Sequence, residues 1–197
     1  MYLYGASGHA KVIIDIAEAN QIAIEGLYDD NKNLVELWGY PIESPQKIKI
    51  DNELLVSIGD NRIRKKIVQS LSVNFISLMH PRAVISPRCT IGLGSVIMQG
   101  AVLQADVKIG NHVIVNTSAS VGHECLIDNF AHISPNSALC GNVSIGEGTW
   151  IGAGTTIIPG VKIGKWCVIG AGSVVTKDIP DFSLALGNRC EIIKTLK

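Results

Sequence analysis

From Ile85 to Val175 an aliphatic residue returns at every sixth position, sixteen times without an insertion. No helix repeats at six, and no single strand does. Four residues after each comes a side chain that is nearly always small, among them Cys89, Ser95, Ala101, Cys125, Ala131, Cys167 and Ser173. Glycine often follows the aliphatic residue directly, as at Gly92, Gly110, Gly122, Gly146, Gly152, Gly164 and Gly170. A unit this short cannot bury an apolar face alone, so it must stack on its neighbours. Six residues make one short strand and one corner, and three such sides close a triangular coil of eighteen. The sixteen repeats then give a little over five coils, a parallel β-helix about 25 Å tall at the usual strand spacing. The large aliphatic residue points inward and the small one sits where the coil narrows. The glycines are expected at corners needing unusual backbone angles. A sandwich would need turn signals every 8–12 residues, which this stretch lacks. Cys89, Cys125 and Cys167 fall on the small inward position and read as compact core residues; Cys140 and Cys190 receive no role.

The first eighty residues follow another pattern. YLYGASGHAKVIIDIAEAN predicts a strand, a glycine turn and an amphipathic helix. IEGLYDDN is a second strand ending in two carboxylates, ELLVSIGDN a third, NRIRKKIVQSL a second helix, and VNFISLMHP the approach to the coils. Alternating strands and helices predict a small, Rossmann-like α/β parallel sheet over 1–80, followed by the all-β column and a short tail over 81–197. Ligands of such sheets bind beyond the carboxyl ends of the strands. Gly5-Ala6-Ser7-Gly8-His9 lies at one such end, where the first turn of a helix offers unpaired N–H groups to phosphate. The motif is GxxGH rather than the dinucleotide fingerprint GxGxxG, so a nicotinamide site is not favoured. Asp29 and Asp30 close the second strand where an acidic residue would meet a ribose, and Gly59-Asp60-Asn61 closes the third, open between a helix cap and a ligand contact.

Seventeen basic residues balance seventeen acidic ones, so no field favours nucleic acid or an anionic membrane. No apolar run is long enough to span a bilayer, and no signal peptide is expected. The cysteines number five, with no CxxC, which suits a reducing cytoplasm.

Five histidines are the remaining candidates for chemistry. His80, before Pro81, suits a turn or cap, and His112 is expected on an exposed side or corner. His123 stands beside Glu124 in VGHECLID. Strand neighbours point to opposite faces, but at a corner that alternation breaks, and the carboxylate can then orient the ring and raise its basicity. His132 is half a coil further on and should not share a side with His123 within one chain, so a joint site would lie between chains. The histidine gaps of eleven and nine lack a close zinc-binding pair, and no metal is expected.

YGASGH, the paired aspartates, IGDNRIRKKI, LMHPRAVIS, VGHECLID and AHIS together resemble the bacterial nucleotide-sugar N-acetyltransferases of the PglD type, within the left-handed β-helix acyltransferases. The related NeuD-type sialic acid O-acetyltransferases share the layout. The resemblance spans nearly the whole chain. It implies acetyl-CoA as co-substrate, a UDP-4-amino-4,6-dideoxy sugar as acceptor, and a homotrimer with sites between neighbouring prisms. It implies His123 as general base and Glu124 as its acidic partner. It places His132 at the acetyl end of the cofactor, Ala153 and Ala171 along the pantetheine groove, Ser7, Gly8 and His9 around the diphosphate with Gly59 beside them, and Asp29 and Asp30 at the uridine. The chain departs from the family's closing Gly-x-Pro-Ala-Lys phrase, carrying Gly187-Asn188-Arg189-Cys190-Glu191 instead. Sugar O-acetylation and a non-catalytic nucleotide-sugar-binding trimer are the competing expectations.

Overall fold

A computed structural model describes residues 1–196. The chain opens with β1 (Tyr2–Tyr4), α1 (Gly8–Ala19), β2 (Gly26–Tyr28), β3 (Glu36–Leu37), β4 (Tyr40–Glu43), β5 (Glu53–Val56), α2 (Asn61–Ser70) and β6 (Asn74–Phe75). These form one six-stranded sheet in the order β3-β4-β2-β1-β5-β6, parallel except for the β3–β4 hairpin at its edge. Ala10, Ile13, Ile14 and Ala17 are buried on one face of α1, the i, i+3, i+4, i+7 stripe of an amphipathic helix. The Asp60 carboxylate caps α2 by accepting the Ile63 N–H at 2.8 Å. Gly59-Asp60-Asn61 thus includes a helix cap.

Next comes the left-handed parallel β-helix. Its first wall runs through Leu78–Met79, Val96–Ile97, Ile114–Val115, His132–Ile133, Trp150–Ile151, Val168–Ile169 and Ser183–Leu186. The second runs from Val84–Ile85 to Val174–Val175, and the third from Thr90–Ile91 to Lys162–Ile163. Partners are eighteen residues apart, as Val96 is from Ile114 and Ser120 from Ala138. The column begins one strand before the sixteen-fold register, at Leu78–Met79. An antiparallel strand, Glu191–Thr195, folds over its far end.

The sixteen aliphatic residues point inward, and only Ile85 and Ile91, at the open end, are partly exposed. Of the small positions Cys89 is partly exposed; Cys125, Cys167 and the others are buried. Fully burying one such side chain contributes about 1.5–3 kcal/mol. The buried hydroxyls are satisfied in the same rhythm: Ser95, Ser137, Thr149 and Thr155 each donate to a carbonyl fifteen residues on.

The corner glycines differ from expectation. The left-handed backbone angle recurs at every sixth residue from Gly94 to Gly172, with φ between +55° and +75°, and Asp106, His112, Ser118, Glu124, Phe130, Asn136, Asn142 and Trp166 adopt it as well as glycine does. The glycines that directly follow the aliphatic residue lie outside that region. They are there because the next coil passes too close: a Cβ on Gly146 would stand 2.6 Å from the Gly164 carbonyl carbon, and one on Gly152 2.5 Å from the Ala171 nitrogen.

The two halves share a core. Ala10, Ile13, Ile14 and Ala17 of α1 belong to the same buried cluster as Leu78, Val96, Met98 and Ile114 from the first wall. The amino-terminal half therefore docks through the apolar face of α1, and Asn20 at the end of that helix donates to the Met79 carbonyl on the same wall. Among the described residues, no helix is long and apolar enough to cross a membrane.

Candidate active site

Glu124 occupies a left-handed corner, φ +59°, between the second and third walls. That angle cancels the strand alternation and brings its carboxylate to the side of His123: Glu124 Oε2 is 3.0 Å from His123 Nδ1. A carboxylate only accepts, so Nδ1 carries the proton and Nε2 holds the free lone pair. The ring lies over Gly141 of the next coil, where a Cβ would stand 2.5 Å from Nε2. Both side chains are more than half exposed. Cys125, the next residue, is wholly buried and offers no nucleophile.

His132 lies on the first wall, away from His123, as the half-coil spacing predicts. It is 91% buried, its ring stacked on Trp150 with centroids 5.9 Å apart. Asn116 fixes its tautomer. The Asn116 Oδ1 accepts the Thr117 N–H at 2.8 Å, so its NH2 group faces His132 Nε2 at 3.1 Å. Nε2 is therefore an acceptor and the ring proton resides on Nδ1, with the Gly59 backbone beside the ring. Burial, then the Arg64 charge and His9, push the His132 pKa down to about 3, so the ring is neutral at pH 7.

The GASGH turn is held from below. Gly5, at φ +107°, donates its N–H to the Tyr28 carbonyl, and Ala6 donates to Asp29 Oδ2 at 2.8 Å. Asp29 Oδ1 accepts from Asn31 N–H, and Asp30 Oδ2 accepts from the Tyr4 hydroxyl. Each carboxylate keeps further lone pairs for a ligand. Ser7 precedes α1 without a side-chain capping bond, and Gly8 opens the helix with free space around its Cα, so the helix N-terminus is uncovered. His9 has no hydrogen-bond partner on its buried Nε2, and burial, with Arg64 adding, lowers its pKa to about 4. Gly59 stands at the same mouth, between Arg64 and His132.

Ala153 and Ala171 are exposed on the corner between the first and second walls, one coil apart, with the Ala153 carbonyl accepting the Gly172 N–H. Within one protomer the candidates thus fall into three groups: the sheet mouth with His132, the Ala153–Ala171 corner, and the His123–Glu124 corner. The second wall separates the last two.

His112 overturns the surface expectation. It is 5% exposed, stacked on Phe130 at 5.2 Å and edge-on to Phe75 at 4.7 Å. The docked amino-terminal half covers this corner, which the register alone does not reveal. Sequence reasoning also passed over Asn116 and Arg64. Arg64 lies in the motif IGDNRIR, where a cation three residues beyond a helix start resembles any solvated helix face.

Comparison with known proteins brings the two halves together. Residues 1–71 match the family model of the PglD N-terminal domain, and 142–177 match that of the bacterial transferase hexapeptide, six repeats. PerB of Caulobacter crescentus, solved with CoA and GDP-perosamine, is 35% identical, with a TM-score of 0.91 over 98% of this chain and 96% of that one. The acetyltransferase domain of PglB from Neisseria gonorrhoeae, solved with acetyl coenzyme A, is also 35% identical, with a TM-score of 0.91 over 98% of each chain. A galactoside O-acetyltransferase of Lactococcus lactis is 44% identical over 93 residues, 44% of this chain and 42% of its own. The chain spans only 24% to 34% of the length of the first curated relatives it matches.

Proposed function

Given that this chain belongs to the hexapeptide-repeat sugar acetyltransferases with a PglD-type amino-terminal domain, we propose that it transfers the acetyl group of acetyl-CoA to the amino group of a nucleotide-linked amino sugar. The acceptor we favour is a UDP-4-amino-4,6-dideoxy hexose. Its diphosphate would meet the Ser7-Gly8-His9 helix start and its nucleoside Asp29, Asp30 and Gly59. Acetyl-CoA would run along Ala153 and Ala171, in the cleft between two copies of a homotrimer. The separation of the His123 corner from the Ala153 corner across the second wall supports such a shared site.

The observation that carries the reading is the His123–Glu124 pair. In this mechanism the neutral sugar amine attacks the thioester carbonyl, and His123 Nε2 takes the amine proton as the C–N bond forms. Glu124 stabilises the imidazolium. The tetrahedral intermediate expels CoA as thiolate, which takes up the proton, leaving an amide and CoA thiol. The oxyanion requires a hydrogen-bond donor. His132 cannot supply it from Nε2, which accepts from Asn116. It lines the acetyl end of the cofactor site, and the donor is a backbone N–H.

His123→Ala is expected to lower kcat by roughly a hundredfold or more with the oligomer intact, the scale of losing a general base. Thiol release with UDP-4-amino-4,6-dideoxy hexoses and GDP-perosamine as acceptors measures it, and an unchanged rate would rule out the role. A hydroxyl acceptor is the second reading, favoured by the galactoside O-acetyltransferase relative. Galactosides and free sialic acid in the same assay separate the two.

A further inference from the structure

Among the described residues Arg64 is the largest fully buried side chain, 1% exposed, and it lies on α2, where Asn61 is the other buried residue. Among the described residues it makes no ion pair. Its guanidinium is satisfied by neutral acceptors alone. Nε donates to the His112 carbonyl at 3.0 Å, one terminal nitrogen to the Ile58 and Gly59 carbonyls at 2.9 and 3.1 Å, and the other to Asn61 Oδ1 and the Phe130 carbonyl at 2.8 and 2.9 Å. Two of these acceptors, His112 and Phe130, are corner residues of consecutive coils. Ile58 and Gly59 are on the segment linking β5 to α2, at the mouth of the parallel sheet, and Asn61 is the first residue of α2.

We infer that Arg64 is a positioning residue for the nucleotide-sugar acceptor, clamping the 58–61 segment at the sheet mouth onto two coils of the β-helix. The inference deepens the acetyltransferase reading and rests on it. The planar fork sets the direction of each bond, so Arg64 holds the Gly59 carbonyl, whose backbone lies beside His132. Asn61 extends the clamp, its NH2 group donating to the Gly148 carbonyl at 3.1 Å on a third coil. A chain of contacts thereby runs Arg64, Gly59, His132, Asn116, Thr117, from the acceptor side to the corner shared with Ala153 and Ala171. Two further features agree with a role at the acceptor. The charge lacks a carboxylate partner at a mouth suited to a diphosphate, and its neighbours His9, His112 and His132 are all held neutral beside it. Asp60, the nearest acid, is spent on the α2 cap.

Arg64→Lys keeps the charge but not the fork; Asn61→Ala removes one acceptor and the Gly148 bond. Initial rates on the full chain, with UDP-4-amino-4,6-dideoxy hexoses and GDP-perosamine as acceptors, give KM for each substrate. For Arg64→Lys we expect KM for the nucleotide sugar to rise at least tenfold while KM for acetyl-CoA stays within twofold. Asn61→Ala should move the same constant in the same direction, by threefold or more. A general loss of folded enzyme would lower kcat and leave the KM ratio alone. If Arg64→Lys does not fold, Asn61→Ala decides. Turnover by wild type with an unshifted nucleotide-sugar KM in the folded variants would overturn the inference alone. No transfer by wild type to any nucleotide sugar would overturn the proposed function and the inference with it.

Discussion

Acidification should unfold this protein through histidines that do no chemistry. His112 is buried between Phe75 and Phe130 with its Nδ1 unpartnered, and burial, then the nearby Arg64 charge, lowers its pKa to about 4. In the unfolded chain it titrates near 6.5. A depressed histidine favours the folded state fully above about pH 6.5, where both states are neutral. Below that the unfolded chain takes up a proton that the folded chain resists, so stability falls as pH drops toward 4. Between pH 7.5 and 5.0 the unfolded histidine becomes almost fully protonated, while the folded one reaches only about a tenth; the difference integrates to about 2 kcal/mol. The figure barely depends on the folded value, provided it lies well below 5, so His132 at about 3 gives the same. His112→Phe removes the titration and keeps an aromatic ring in the stack. Phe130 shows that phenylalanine fits the equivalent left-handed corner one coil away, at φ +59°. Urea unfolding at fixed protein concentration, at pH 7.5 and 5.0, should therefore show the variant losing about 2 kcal/mol less than wild type on acidification. Carboxylates common to both proteins cancel in that comparison. An equal acid sensitivity in the two would refute the claim that His112 is held neutral by its surroundings.

Glu124→Gln keeps an acceptor for His123 Nδ1 but removes the charge that favours the imidazolium. Because the pair is exposed and screened, kcat should fall only about three- to tenfold, with KM for both substrates within twofold, in steady-state thiol-release assays. Gly146→Ala would drive a methyl group into the Gly164 backbone of the next coil. Urea denaturation should show a loss of about 1–3 kcal/mol, and an unchanged midpoint would refute the close-approach explanation of these glycines.

The His123–Glu124 pair was legible because its geometry is local. Glu124 falls on a corner position set by the six-residue count, and the corner angle alone turns its carboxylate toward His123. His132 was legible as a candidate but not its surroundings, since Asn116 and Gly59 reach it from different parts of the chain. Arg64 and His112 left no usable signal. A charged residue on a polar helix and a polar residue on a corner both read as solvated, and both are buried by one docking event.

The column was written into the sequence because each coil packs on the residues eighteen places before and after it. Every inward side chain therefore answers to the same steric demand, and that demand appears as a period in the chain. Which wall the amino-terminal sheet would cover could be decided only in three dimensions. It depends on the face of α1 meeting Val96 and Ile114, and on a guanidinium finding backbone carbonyls on two coils. Those contacts join residues some fifty to a hundred positions apart that share no repeat, so their energy depends on tertiary arrangement and leaves no local pattern to read.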